Sequence, residues 1–383
     1  MSDIQRTENP LTSSSRVVIV AGQLDIGGAE RELVTFLEAA HSCRFEFQVI
    51  CLASGGEFRA DVEQFSGSAV LTPPTASKLG RLRWMWRTLR SLNPALVHCW
   101  NLFPILYIPP SHWRSYPLIG FLQCIPSQWP AGILTKRVLR RLVRVPEGLV
   151  SNSSAALDEL ALLGIPTGPS VVVRNGVRSS FFDGSAGEEF NRISGQDTVL
   201  IGLGRLIDRK RADWMIRALA ILRKERLPLS LWLVGDGAER VSLAHLAEEL
   251  GVESKVVFWG NRNDVPDLLS AADIMVHCAW AEGLPNAVQE AMAAGLPIVA
   301  SRTSGIPEIV EDSVEGILFD PDDFNGFVGS LRKLVSDADL QVRMGSAARK
   351  KAQRDFSPET MAIMMIEFYE TILGSWSGKR GIR

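Results

Sequence analysis

Short apolar runs alternate along this chain with longer stretches in which apolar positions recur every three to four residues. Runs of four to eight aliphatic and β-branched residues bounded by turn formers read as buried strands, and the longer periodic stretches read as amphipathic helices. The alternation occurs twice. In the first half the strand candidates are residues 16–22, 45–52, 69–72, 95–100, 117–123, 148–152 and 170–176. In the second they are 198–205, 229–237, 255–260, 273–278, 297–301 and 316–320. Strand and helix in steady succession predict an α/β fold of two doubly wound halves, each a parallel sheet covered by helices.

A polar, Gly- and Ser-rich segment at 177–197 reads as the linker. The expected division is a disordered lead-in at 1–15, an acceptor-side domain at 16–178, a second domain at 179–355 and a final helical segment at 356–383. That last segment opens on Ser357, a good helix cap, and has nowhere obvious to pack except back across the two domains. At 383 residues, two domains with a site in the cleft between them are the default.

Composition narrows the class. With 46% hydrophobic and 22% charged residues the chain reads as soluble and globular. No apolar run approaches the roughly 18 to 20 residues of a membrane span, and the polar start has no signal-like core, so the cytoplasm is the expected location. Five cysteines without a CxxC pair argue against a disulfide framework or a zinc ribbon and suggest buried thiols.

Charge is divided unevenly. Residues 1–178 carry 18 Lys and Arg against 13 acids, and the remainder 23 against 30. Much of the positive excess lies in two helical stretches, Lys78, Arg81, Arg83, Arg87 and Arg90 with Trp84 and Trp86, and Lys136, Arg137, Arg140, Arg141 and Arg144. Such helices can lie on the anionic inner face of a membrane or receive a phosphorylated acceptor, and they can equally be solvated faces. No nucleic-acid motif accompanies them, so nucleic acid is not an expected partner.

In open parallel sheets, ligands sit beyond the carboxyl ends of the strands. After the first strand, "GQLDIGGAERELV" opens a helix on Gly27 and Gly28, where backbone N–H groups can approach an anion. Neither GxGxxG nor GxxxxGK[ST] occurs, which removes the dehydrogenase and phosphate-loop readings. After the first strand of the second half, Gly204, Arg205 and Lys210 lie in a strand-to-helix loop. Arg suits bidentate phosphate contact and Lys a point charge, so the pair could neutralise a diphosphate without a metal.

The segment "AEGLPNAVQEAMAAGLPIVAS" carries Glu282 and Glu290 eight residues apart. Gly283 breaks a helix and Pro285 favours its start, so a helix beginning near Pro285 or Asn286 leaves Glu282 in the loop and Glu290 inside the helix. The free N–H groups from Gly283 through Leu284 to Asn286 point between them. Two carboxylates beside a helix N-terminus suit hydroxyl and phosphate ligands laid along one extended molecule better than a proton-transfer dyad.

With "GGAER", "RNGV", "GRLIDRK", "LVGDG", "FWGNRNDV", "EGLPNAVQE" and "SGIPEIV" in this order, nearly the whole chain resembles the retaining glycosyltransferases of family 4. That resemblance implies the GT-B fold, two Rossmann-like domains facing a cleft, and transfer of a sugar from a nucleotide-diphosphate donor to a glycan or lipid-linked acceptor. It also implies no cofactor and no metal. By the same resemblance, the catalytic set would be Glu282 on the donor sugar with Arg205 and Lys210 on the diphosphate. Glu290 would hold the ribose, Gly28 the phosphate from the opposite wall, and Arg262 and Asn263 the nucleobase.

The chain departs from the family at several points. Gln123 stands where a histidine near the reacting carbon is frequent, Ala279 where a serine is frequent, and Arg178 where an aspartate is frequent. His98 and Asn101, at another strand end, are candidates for the acceptor pocket together with Gln123. Gln123 keeps open the alternative of a nucleotide-sugar-binding or regulatory subunit without turnover, and a same-fold nucleotide-sugar epimerase is a third option.

Overall fold

The computed structural model describes residues 15–25, 27–75, 77–110, 115–129, 133–184, 197–280, 283–303 and 305–380. The first sheet is formed by β1 (Ser15–Ala21), β2 (Phe45–Cys51), β3 (Leu96–Cys99), β4 (Leu118–Leu122), β5 (Gly148–Ser151) and β6 (Ser170–Val172). Between them run α1 (Gly28–Ala39), α2 (Arg59–Ser66), α3 (Lys78–Leu92), α4 (Ile133–Leu142) and α5 (Ser154–Leu162). The second sheet comprises β7 (Thr198–Leu203), β8 (Leu229–Val234), β9 (Val256–Gly260), β10 (Ile274–His277), β11 (Ile298–Ser301) and β12 (Gly316–Phe319). Its helices are α6 (Ala212–Lys224), α7 (Arg240–Glu249), α8 (Val265–Ser270), α9 (Asn286–Ala294), α10 (Ile306–Ile309), α11 (Phe324–Val335) and α12 (Ala338–Asp355), and α13 (Pro358–Arg380) closes the chain.

Every strand pair within these sheets is parallel, in the orders β2-β1-β3-β4-β5-β6 and β12-β11-β10-β7-β8-β9. Strand order therefore reverses between β1 and β3 in one sheet and between β7 and β10 in the other, and ligands bind at such switch points. The continuous apolar runs have a direct cause. Along β1, Val17 and Ile19 enter one core and Val18 and Val20 the other, so Val17 through Ala21 are all buried. Of the strand candidates, 69–72 does not form a strand: Leu71 alone bridges Ile50, and Pro73 and Pro74 then remove the N–H donors that would extend the pairing.

Side chains satisfy several helix starts. Ser77 accepts from Gly80 N at 3.1 Å for α3, Asp323 from Gly326 N at 2.8 Å for α11, and Ser357 from Thr360 N at 3.0 Å for α13. Helix α13 follows Phe356, whose carbonyl accepts from Val177 N at 2.8 Å, so the chain re-enters the first domain where it left it. Met361, Met365, Phe368, Tyr369 and Ile372 form its buried stripe and join the core around α1 and β1. Much of the expected linker, 185–196, lies outside the described residues. Three of the five cysteines are buried, Cys43 is half-buried and Cys124 is exposed.

Candidate functional site

The ends of the two sheets face each other. After β1 the chain turns through Gly27, the extended residue preceding α1, into Gly28. A Cβ on Gly27 would overlap the Glu30 carboxylate, which folds back over the helix start. Burial raises the Glu30 pKa, while its own backbone N–H and Gln23 lower it. The chain's own carboxylate thus sits where the positive end of α1 can hold an anion.

Opposite, α9 begins at Asn286, one residue after Pro285. A Cβ on Gly28 would lie 3.3 Å from Asn286 Nδ2, so two helix N-termini from different domains meet here. Gly283 would bring a Cβ to 3.7 Å from the Gln123 carbonyl, and its own carbonyl accepts from Gly305 N at 3.2 Å. Leu284 is buried in the second core. Glu282 and Ala281 lie outside the described residues.

In the turn after β7, Gly204 has φ +143°, a conformation suited to glycine. A Cβ there would lie 3.5 Å from Lys210 Cε and 3.6 Å from Nζ, so the lysine folds over this turn. Arg205 is exposed beside it. The neighbouring Arg211 is committed elsewhere: it donates to Pro321 O and, at 3.3 Å, to Asp322 Oδ1, and it lies 4.5 Å above the Trp214 ring. His277, at the end of β10, lines the same recess as Gly204, Arg205 and Lys210, and its Nε2 has no hydrogen-bond partner among the described residues. Burial and then the charges of Lys210 and Arg209 lower its pKa, so it is a neutral imidazole at pH 7. Nothing in the motif pattern singled it out.

Arg262 follows the edge strand β9, pairs with Asp264 (Nε to Oδ1, 2.7 Å) and lies 5.3 Å from the Trp259 ring centre. Asn263 is exposed next to it.

The structure corrects one assignment. His98 is fully buried within β3, not at an acceptor wall: its Nδ1 lies 2.7 Å from the Tyr369 hydroxyl, and Trp100 and Phe121 pack around the ring. Burial pushes its pKa down to about 3, so it serves as a neutral anchor for α13. Asn101 does sit at the β1/β3 switch point, accepting from Phe103 N at 3.1 Å, with its amide 3.6 Å from a Cβ built on Gly22. Gln123, just past β4, donates from Nε2 to Glu32 Oε2 at 3.0 Å.

Several contacts that sequence reasoning did not foresee hold the two walls together. Glu290 is buried in α9 and pairs with Arg31 of α1 at 3.0 Å, where the sequence had placed a ribose contact. Asn175 donates to Asn286 Oδ1, and its carbonyl accepts from Gln289 Nε2 at 3.3 Å. Glu308 of the second domain caps α5 of the first, accepting from Ser153 Oγ at 2.6 Å and from Ser154 N and Ala155 N at 2.9 Å. Those contacts, against the opposing cost of burial, hold its pKa below the ordinary range. Asn175 and Glu308 had a signal in their places within "RNGV" and "SGIPEIV", and Asn286 and Glu290 in theirs within "EGLPNAVQE".

The Arg31–Glu290 pair is testable on its own. Burial raises the Glu290 pKa and Arg31 draws it back, with burial the larger effect. Because Arg31 is 34% exposed, solvent weakens the pair, and Glu290→Gln is expected to cost about 1 to 2 kcal/mol in denaturant unfolding. Arg31→Met should then cost less in the Glu290→Gln background than in the wild type; additive costs would mean the two residues are uncoupled.

Comparison with known proteins agrees with this architecture. The family model described as Glycosyltransferase Family 4 matches residues 26–181, and that described as Glycosyl transferases group 1 matches 187–351. The chain is 26% identical to the lipopolysaccharide core biosynthesis glycosyltransferase LpsD of Rhizobium meliloti, over 90% of this chain and 95% of that protein. It is 34% identical to LpsE of the same organism over 43% of this chain, a match spanning about half of LpsE, 47%. Among solved structures, Anabaena Alr3699/HepE in complex with UDP superposes with a TM-score of 0.80 at 22% identity, covering 93% of this chain and 100% of that one. The two family models together take in most of the sequence, and the chain belongs to the family 4 glycosyltransferases, with the GT-B fold.

Proposed function

We propose that this protein transfers a sugar from a nucleotide-diphosphate donor to a glycan or lipid-linked acceptor, with retention of anomeric configuration and without a metal ion. The observation that carries this reading is the meeting of the α1 and α9 N-termini, from two domains, together with the glycine turn after β7 over which Lys210 folds. Helix ends and cations of this kind suit a diphosphate whose negative charge grows as the sugar leaves.

The residues take the following roles in this proposal. Gly204, Arg205 and Lys210 hold the diphosphate, and Gly27 and Gly28 approach it from the other wall once Glu30 gives way. Pro285 and Asn286 present the start of α9, with Glu282 on the donor sugar. Glu290 takes a ribose hydroxyl on the oxygen to which Arg31 does not donate, and Arg262 and Asn263 flank the base. The departing phosphate accepts the acceptor's proton, so the protein's task is to position and stabilise charge.

LpsD and LpsE are named for lipopolysaccharide core biosynthesis, and the HepE structure holds UDP, which supports a nucleotide sugar as donor and a glycan or glycolipid as acceptor. UDP-, GDP- and ADP-sugars should be screened by calorimetry, with the anomeric configuration of any product read by NMR and EDTA added to test for a metal requirement. Failure to bind every nucleotide sugar would sink the proposal.

Peripheral contact with the inner face of a membrane belongs to the same reading. On α3 the exposed side includes Lys78, Arg83, Arg87, Arg90 and Trp86, which is 38% exposed with Arg90 against its ring. On α4, Arg137, Arg140 and Arg141 are exposed, as is Arg144 just beyond it. Among the described residues no helix is long and apolar enough to cross a membrane. Vesicles containing anionic phosphatidylglycerol should bind the protein at low ionic strength and release it as salt rises. Equal binding to neutral vesicles, or none to anionic ones, counts against this contact.

A further inference from the structure

Glu32 is the acid least expected in its surroundings. It lies on α1 among Leu33, Thr35 and Phe36, and it is 3% exposed. Its Oε2 accepts from Gln123 Nε2 at 3.0 Å, and Oε1 has no partner among the described residues. Burial pushes its pKa up to about 8, partly opposed by the Gln123 hydrogen bond. At pH 7 the group is largely a neutral acid.

The charged groups facing this place are few. Arg31 precedes Glu32 on α1, Glu290 comes from α9, and Arg178 comes from the segment entering the second domain; all line one small cavity with Glu32. Arg31 is paired with Glu290, so Glu32 has Gln123 as its recorded partner.

Gln123 stands where the two walls meet, its carbonyl 3.7 Å from a Cβ built on Gly283 in the donor-side loop. A side-chain amide has two unlike ends, and half a turn exchanges a donor for an acceptor. Which end faces a ligand is decided by what holds the other. Here Nε2 is held by Glu32, and no described residue donates to Oε1.

We infer that Glu32 is a positioning residue for sugar transfer: by accepting from Nε2 it turns Gln123 Oε1 toward the cleft, where a hydroxyl of the bound sugar must donate to it. The inference rests on the glycosyltransferase reading and goes beyond it, because it names the hydrogen-bonding character of one substrate group. With the acid proton on Oε1, Oε2 is the carbonyl oxygen that the amide needs. Gln123 therefore acts as a fixed acceptor, selecting a hydroxyl there over a group that cannot donate.

The test compares Glu32→Gln, which keeps a carbonyl oxygen at that point, with Glu32→Met, which removes it. The conservative variant should stay within 3-fold of wild type in kcat. Glu32→Met should lose about 10-fold in kcat with the KM for donor little changed, and should lose preference for the donor sugar over deoxy analogues. Unchanged kcat and preference in Glu32→Met overturn the inference.

A second measurement does not need turnover. The Gln123 side-chain amide signal in an 15N NMR spectrum, identified by its disappearance in Gln123→Glu, should titrate near pH 8 in the wild type and be flat in Glu32→Gln. An amide signal indifferent to pH overturns the inference even if Glu32→Met fails to fold. Absence of transfer by wild-type protein with every donor, alongside a titrating amide, would remove the functional reading and leave the hydrogen bond standing.

Discussion

Replacing Lys210 by alanine is expected to lower kcat for sugar transfer by about 100- to 1000-fold, the usual cost of removing one preorganised group that stabilises developing negative charge. The geometry singles this lysine out from the cations around it. Its Cε and Nζ lie over the Gly204 turn, at the carboxyl end of β7 and beside the reversal of strand order. Arg211, one residue on, is tied to Pro321 O and Asp322 and stacked on Trp214, so Arg211→Gln should leave chemistry within a few-fold while costing some stability. Arg205→Ala should fall on the Lys210 side of that division. Transfer rates at saturating donor, with nucleotide affinity measured separately, distinguish the cases. A Lys210→Ala protein that retains wild-type kcat would take Lys210 away from the leaving group.

The same contrast shows why the sequence was legible in some places and opaque in others. Strands buried on both faces read as apolar runs, so β4, β10 and β11 were visible from local pattern alone. The segment at 69–72 was misread because one bridging residue before two prolines resembles a short strand. The start of α9 followed from Gly283 and Pro285, whose backbone preferences act locally. His98 failed for the opposite reason. Its meaning depends on Tyr369, 271 residues away in sequence, and no local signal distinguishes a ring anchoring a distant helix from one lining a pocket. Likewise the motifs marked Glu290 as a site residue but could not reveal Arg31 on the facing wall. Glu32 left a faint trace, a carboxylate sharing a helical face with buried Thr35 and Phe36, three and four residues on.

That trace has a thermodynamic consequence large enough to measure. A carboxyl with a pKa of about 8 in the folded protein and an ordinary value of 4.5 when unfolded binds its proton more tightly in the folded state. Its contribution to stability is fully present below about pH 4.5. Between there and pH 8 the unfolded chain has released the proton and the folded chain has kept it, so stability falls as pH rises, by about 1.4 kcal/mol per unit. Above the folded value the loss levels off, at about 5 kcal/mol in all. Glu32→Gln removes this titration while leaving Glu290 and the other acids in place. Wild-type stability minus that of Glu32→Gln, from denaturant unfolding at pH 5.5, 6.5, 7.5 and 8.5, should therefore decline steadily and then flatten. Parallel pH profiles would mean that Glu32 reaches solvent or finds a cation in solution. A declining difference would show that the fold bears a cost near neutral pH to keep this acid behind Gln123, which an apolar residue at the same position would avoid. Function, not stability, would then be the reason for its place on α1.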